Sequence, residues 1–235
     1  MGKMAMSEAE YIAAAHMHMP PFRVCRGFLD SATHASLLVW TIENEAKFKA
    51  SLVSRGQGDD KHDPSLRASL RVSDFGPMKS LLRLRVLDFV PTLIRDLRVT
   101  PFEPSEVELE LVANNDGAFF KQHIDTFTGD GRRASDRMLS AVYYFHAEPR
   151  AFTGGTLRLY SFGTDAHDSN FTDVEPEQNM LLAFPSWWPH EVLPVSCPSR
   201  RFSDSRFNVN CWVHRHSNRT PSRRRGGRSS EIIAR

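Results

Sequence analysis

At 235 residues, with 40% hydrophobic and 25% charged side chains, the chain is long enough for one full catalytic domain and has a globular balance, not a disordered one. No apolar run nears the roughly 20 residues of a membrane helix, and the N-terminal stretch lacks the apolar core of a secretory signal, so no membrane partner is expected. The three cysteines, Cys25, Cys197 and Cys211, have no metal-site spacing and read as reduced thiols of a cytoplasmic protein.

Residues 1–20 read as a flexible leader, and residues 21–104 as a helical N-terminal support within the same domain. In that support, residues 22–29 suggest a short strand. Asp30 and Ser31 cap a helix reaching about Lys49, with Leu37, Leu38, Trp40 and Ile42 on its apolar side. Residues 54–64 are a polar loop. A second helix spans Met78 to Arg95, where Leu81, Leu82, Val86, Phe89, Val90 and Leu93 recur at helical spacing and Pro91 is placed to kink it.

Past Pro104 the period changes. Glu106 to Leu111 alternates as a half-buried strand does, and Asn114 to Gly117 is a turn. Further strands are expected at 118–125, 138–146, 155–161, 179–184, 190–196 and 206–214. The loops at 126–136 and 162–178 are expected to border the site as lids. Strands this dense predict a mainly β fold, with residues 105–215 forming an antiparallel jelly roll on the helical support. The end, 216–235, reads as a disordered basic tail. Seven arginines and one glutamate between His214 and Arg235 give it a charge of +6, so with +2 overall the remainder is −4. Such a tail suits weak, salt-sensitive contact with RNA, a ribosome or another anionic surface.

The chemistry concentrates in Gln122-His123-Ile124-Asp125. On a strand, residues i and i+2 share a face, so His123 and Asp125 point together. One imidazole, one carboxylate and a distant second histidine make the facial triad of non-haem iron(II) oxygenases, whose open positions take a bidentate cosubstrate and dioxygen. The second histidine proposed is His190, 67 residues on, within Trp187-Trp188-Pro189-His190-Glu191-Val192. Two faces are expected on the strand from Arg206. Phe207, Val209, Cys211 and Val213 form one, and Arg206, Asn208, Asn210 and Trp212 the other. A buried guanidinium needs an anion, and the far carboxylate of 2-oxoglutarate matches its planar fork. Arg200 and Arg201 are the alternatives, but Arg201 is followed by the turn-like Phe202-Ser203-Asp204-Ser205, so Arg206 is preferred.

Taken in order, His-x-Asp, Tyr143-Tyr144-Phe145, Gly154-Gly155-Thr156-Leu157-Arg158-Leu159, Pro189-His190-Glu191-Val192 and Arg206-Phe207-x-Val209-x-x-Trp212 resemble the prolyl 4-hydroxylase branch of the Fe(II)/2-oxoglutarate oxygenases over residues 105–214. The resemblance implies a double-stranded β-helix, iron held by His123, Asp125 and His190, and Arg206 on the C5 carboxylate of 2-oxoglutarate. It also implies a hydroxyl from Tyr144 to that carboxylate, dioxygen as oxidant and ascorbate as reductant. It favours a prolyl residue of a protein or peptide as substrate. A free amino acid or small metabolite is the second reading, and a non-catalytic 2-oxoglutarate or metal sensor the third.

Overall fold

The computed structural model describes residues 21–54, 60–126, 136–161 and 170–216. The expected leader, the lid segments 127–135 and 162–169, and almost all of the basic tail lie outside those residues. The first part of the chain runs β1 (Arg23–Arg26), α1 (Ser31–Glu43), β2 (Lys49–Ala50), β3 (Val53–Ser54), β4 (Asp60–Lys61), β5 (Arg67–Ala68), β6 (Leu70–Val72) and α2 (Pro77–Asp96). Then come β7 (Pro104–Asn114), β8 (Phe119–His123), β9 (Arg137–Phe145), β10 (Thr153–Gly154), β11 (Leu157–Tyr160) and β12 (Phe171–Val174). The last strands are β13 (Met180–Pro185), β14 (His190–Val192), β15 (Val195–Ser196) and β16 (Arg206–Arg215).

A seven-stranded sheet has the order β1-β13-β9-β16-β7-β6-β2, and a five-stranded sheet the order β12-β11-β14-β8-β5. The pairs within both are antiparallel, as expected of a jelly roll. The outer face of the larger sheet carries the two helices. Leu37 of α1 and Leu82, Val86, Val90 and Leu93 of α2 pack with Phe207, Val209, Cys211 and Val213 of β16. Each such buried side chain contributes roughly 1.5–3 kcal/mol. The inner face, with Val142, Tyr144, Leu182 and Phe184, packs on Leu157 and Leu159 of the smaller sheet.

The helices begin where capping chemistry places them. Asp30 accepts from the Thr33 backbone N–H at 2.9 Å and from its hydroxyl at 2.6 Å. α1 stops at Glu43, short of the expected Lys49. There the Asn44 side chain turns back onto the Trp40 carbonyl at 2.7 Å, and Glu45–Lys47 forms a 3₁₀ turn. In α2, Pro91 does not end the helix, which continues to Asp96; its ring faces solvent.

The N-terminal segment supplies strands as well as helices. β1, β2 and β6 widen the larger sheet, and β5 adds an edge to the smaller one. Elements of two to four residues are too short to show alternation in sequence. β12 likewise occupies part of the expected 162–178 lid and pairs with β11. All three cysteines are unpaired, and among the described residues no helix is long and apolar enough to cross a membrane.

Candidate metal and cosubstrate site

The smaller sheet brings two distant histidines together. In the β8–β14 ladder His123 lies directly opposite His190, with ring centroids 4.2 Å apart. Asp125 lies just past the end of β8, where its backbone N–H donates to the Ser186 carbonyl at 2.9 Å. Its Oδ1 is 3.6 Å from His123 Nε2, and its Oδ2 is 3.6 Å from His190 Nε2. One ligand atom from each residue lies within 4.8 Å of the other two, and among the described residues this is the one such cluster of His, Cys, Asp or Glu.

The imidazoles are already in the tautomer a metal needs. His123 Nδ1 lies 2.8 Å from the Lys121 carbonyl, and His190 Nδ1 2.8 Å from the Trp188 carbonyl. A carbonyl only accepts, so each Nδ1 carries the proton and each Nε2 lone pair turns toward the cluster. Burial, reinforced by His190, holds His123 well below the ordinary imidazole pKa and keeps it neutral. For Asp125, burial works to raise the pKa. His190 and His123, with hydrogen bonds from Ser140 and Trp212, outweigh it and hold the carboxyl below its usual range. The Ser140 hydroxyl donates to Oδ2 at 2.6 Å. Two imidazoles with Nε2 toward the cluster and an ionised carboxylate form a donor set suited to a divalent cation with open positions.

The larger sheet supplies the other wall. Arg206 is 1% exposed, and its Nη1 donates to Asn208 Oδ1 at 2.9 Å. The same oxygen accepts from Asn114 Nδ2 at 2.8 Å, and Asn208 Nδ2 donates to Asn210 at 2.7 Å. The Tyr144 ring lies 4.8 Å from the guanidinium carbon. Arg206 Nε and the Tyr144 hydroxyl are buried with no hydrogen-bond partner among the described residues. Burial works against the charge on Arg206 and pushes the Tyr144 phenol up. Two orphaned donors, one on a guanidinium, describe a cradle for a carboxylate. His123, Asp125, His190 and Arg206 line one cavity.

The other two arginines lie elsewhere. The Arg200 side chain is 80% exposed and pairs with Asp116; that of Arg201 is 73% exposed and pairs with Asp204. Tyr143 faces the helices, where its hydroxyl bonds His34 and Asn179. Gly154 and Gly155 have φ near +70°. A Cβ on Gly155 would stand 2.5 Å from Arg206 Cδ, and one on Gly154 2.3 Å from the Pro194 carbonyl. The missing side chains therefore let this segment close over the arginine. Glu191 points away from the cluster and accepts from the Tyr160 hydroxyl. His146 bonds the Ala147 carbonyl and His214 lies 3.3 Å from Glu108, both apart from the metal cluster.

Sequence reasoning missed the supports. Ser140 is the one serine in the apolar and aromatic run 138–145, a signal that was available. Phe120 stacks on His123 at 3.6 Å, and Arg67 lies 5.0 Å over Phe120. Arg137 reaches the Asp125 carbonyl at 3.3 Å and lies 4.2 Å over the Trp212 ring. Arg67 sits on a two-residue strand and Arg137 is the first residue of β9, where no periodicity marks them.

Comparison with known proteins agrees with this geometry. Residues 109–214 match the 2OG-Fe(II) oxygenase superfamily. Over 145 residues the chain is 41% identical to an uncharacterised PKHD-type hydroxylase of Synechocystis sp., covering 60% of this chain and 47% of that protein. It thus spans about half the length of that curated relative. A prolyl 4-hydroxylase of Pseudomonas putida shares the fold at TM-score 0.58 and 21% identity, over 88% of this chain and 98% of that one. A prolyl hydroxylase of Trichoplax adhaerens, solved with a hypoxia-inducible-factor peptide, aligns at TM-score 0.63 and 16% identity, over 88% and 89%. The segment 109–214 thus matches the 2OG-Fe(II) oxygenase family model, and the chain shares its fold with prolyl 4-hydroxylases.

Proposed function

We propose that the protein is an Fe(II)- and 2-oxoglutarate-dependent dioxygenase that hydroxylates an aliphatic C–H, the substrate being a prolyl residue of a protein or peptide. The observation that carries this reading is the orphaned Arg206 Nε in the cavity that His123, Asp125 and His190 also line, with the unpartnered Tyr144 hydroxyl on the ring beside that guanidinium. A metal-binding module alone would have no use for a buried guanidinium with an unpartnered Nε and no counter-ion among the described residues. The three free thiols support a reducing compartment such as the cytoplasm.

In this reading His123, Asp125 and His190 hold the iron through Nε2, a carboxylate oxygen and Nε2. The Nδ1–H groups of the two histidines donate to the Lys121 and Trp188 carbonyls and fix both ring planes. Ser140 holds the Asp125 carboxylate. Arg206 and Tyr144 bind the C5 carboxylate of 2-oxoglutarate, orienting its keto acid end toward the metal. Asn208, itself held by Asn114, keeps Arg206 in place. Phe120, Phe184 and Leu157 exclude water around the histidines. When bound, the iron and 2-oxoglutarate supply the oxidative chemistry, in which dioxygen yields succinate, carbon dioxide and a hydroxylated C–H. The likeness to prolyl 4-hydroxylases, one of them solved with a peptide, supports a polypeptide substrate.

The test is succinate formation that requires iron and a proline-containing peptide, with one oxygen atom gained by the peptide in mass spectrometry. His190→Ala is expected to abolish both. Equal activity in that variant would overturn the reading.

A further inference from the structure

A second cleft opens on the metal cluster. It shares His123, Asp125, Phe120, Arg67 and Trp212 with the Arg206 cavity but not Arg206 itself. With 2-oxoglutarate occupying the Arg206 side, this cleft is the space left for substrate. Four cationic side chains line it, Arg67, Arg71, Lys121 and Arg137, and beyond Asp125 only the carboxylates Glu108 and Glu110.

The pairing within the cleft is uneven. Arg137 pairs with Glu108 at 2.6 Å, and His214 approaches the same carboxylate at 3.3 Å. Glu110 serves two arginines, accepting from Arg67 Nη2 at 2.8 Å and from Arg71 Nη1 at 3.1 Å. The three side chains of that group are 8%, 12% and 27% exposed for Arg67, Glu110 and Arg71. One positive charge thus remains unmatched in a largely dry wall. Lys121 adds a second, since it meets the Phe119 ring at 5.3 Å and no carboxylate among the described residues. Iron(II), 2-oxoglutarate, Arg206 and Asp125 together carry no net charge, so neither of these two charges is offset at the metal. Sequestered charge without a counter-ion is destabilising, and an arriving anion relieves it.

Arg67 and Arg71 differ in what they can offer. Arg67 is spent on Glu110, Ser69, the Leu52 carbonyl and the Phe120 ring. Arg71 is the more exposed of the two, and Lys121 stands at the exposed rim. We infer that this cleft selects an acidic polypeptide segment, with an Asp or Glu side chain near the oxidised residue docking on Arg71 and Lys121. The inference rests on the oxygenase reading and adds the charge of the substrate to it.

The experiment measures binding apart from turnover. The full chain is loaded with manganese(II) and 2-oxoglutarate, and two labelled proline peptides, one flanked by Asp and one by Lys, are titrated by fluorescence anisotropy. The Asp peptide is expected to bind at least about tenfold more tightly, with a preference that shrinks as salt rises. Lys121→Glu, a change at an exposed position, should reduce the preference severalfold, and Arg71→Glu with Lys121→Glu should invert it. Overturning results are equal or Lys-favouring binding, no binding of the Asp peptide, or a preference that survives both changes. Displacement of the Asp peptide by free aspartate at equal concentration, or preferentially by an oligonucleotide, would also overturn the polypeptide assignment. A panel in which no peptide gains oxygen under iron would count against the prolyl reading, while the anisotropy still scores the charge preference.

Discussion

Along β16, Phe207, Val209, Cys211 and Val213 are fully buried against the helical layer. One residue away at each step, Arg206, Asn208, Asn210 and Trp212 look into the cavity between the sheets. Backbone, register and burial are nearly the same on both faces. The difference is whether the protein itself meets the needs of the side chains. The apolar face is completed by α1, α2 and the neighbouring strands. The polar face is completed only in part: Asn208 is fully engaged by Arg206, Asn114 and Asn210, yet Arg206 still holds an unused donor beside the idle Tyr144 hydroxyl. Needs met inside the chain mark stability, and needs left open mark a ligand.

Substitutions on the two faces should therefore separate folding from binding. The largest effect is expected for Phe207→Ala, a loss of about 3–5 kcal/mol in chemical denaturation, because a fully buried ring leaves a cavity. Arg206→Leu should do the reverse. It removes a buried charge with an unpaired donor, so stability should hold or rise, while the KM for 2-oxoglutarate rises about 10–100-fold, the worth of hydrogen bonds to a charged group. A stability loss in Arg206→Leu as large as that of Phe207→Ala would erase the distinction between the faces. Ser140→Ala, behind Asp125, should weaken metal binding about tenfold in a titration followed by calorimetry. Tyr144→Phe is expected to give the smallest change, raising the KM for 2-oxoglutarate up to about tenfold at unchanged stability.

What could be read in advance follows from range. The β16 faces were legible because a strand shows its two sides every second residue. The pairing of His123 with Asp125 was legible for the same reason. His190 was not legible from spacing alone, since its place opposite His123 depends on the β8–β14 register, which no local pattern carries. The choice of Arg206 over Arg200 and Arg201 rested on strand character, and burial separates the three sharply. Arg67, Arg71 and Glu110 went unnoticed because they converge from two very short strands and one long one, β5, β6 and β7. A charge triad across strands leaves no trace in any single stretch of sequence.

The most direct test is an anaerobic calorimetric titration of 2-oxoglutarate into the iron(II)-loaded protein, beside His190→Ala and Arg206→Leu. One-to-one binding that needs the metal, disappears in His190→Ala and weakens about 10–100-fold in Arg206→Leu is the predicted result. Binding that is independent of iron, or that persists unchanged in both variants, would contradict a site built from the two sheets together.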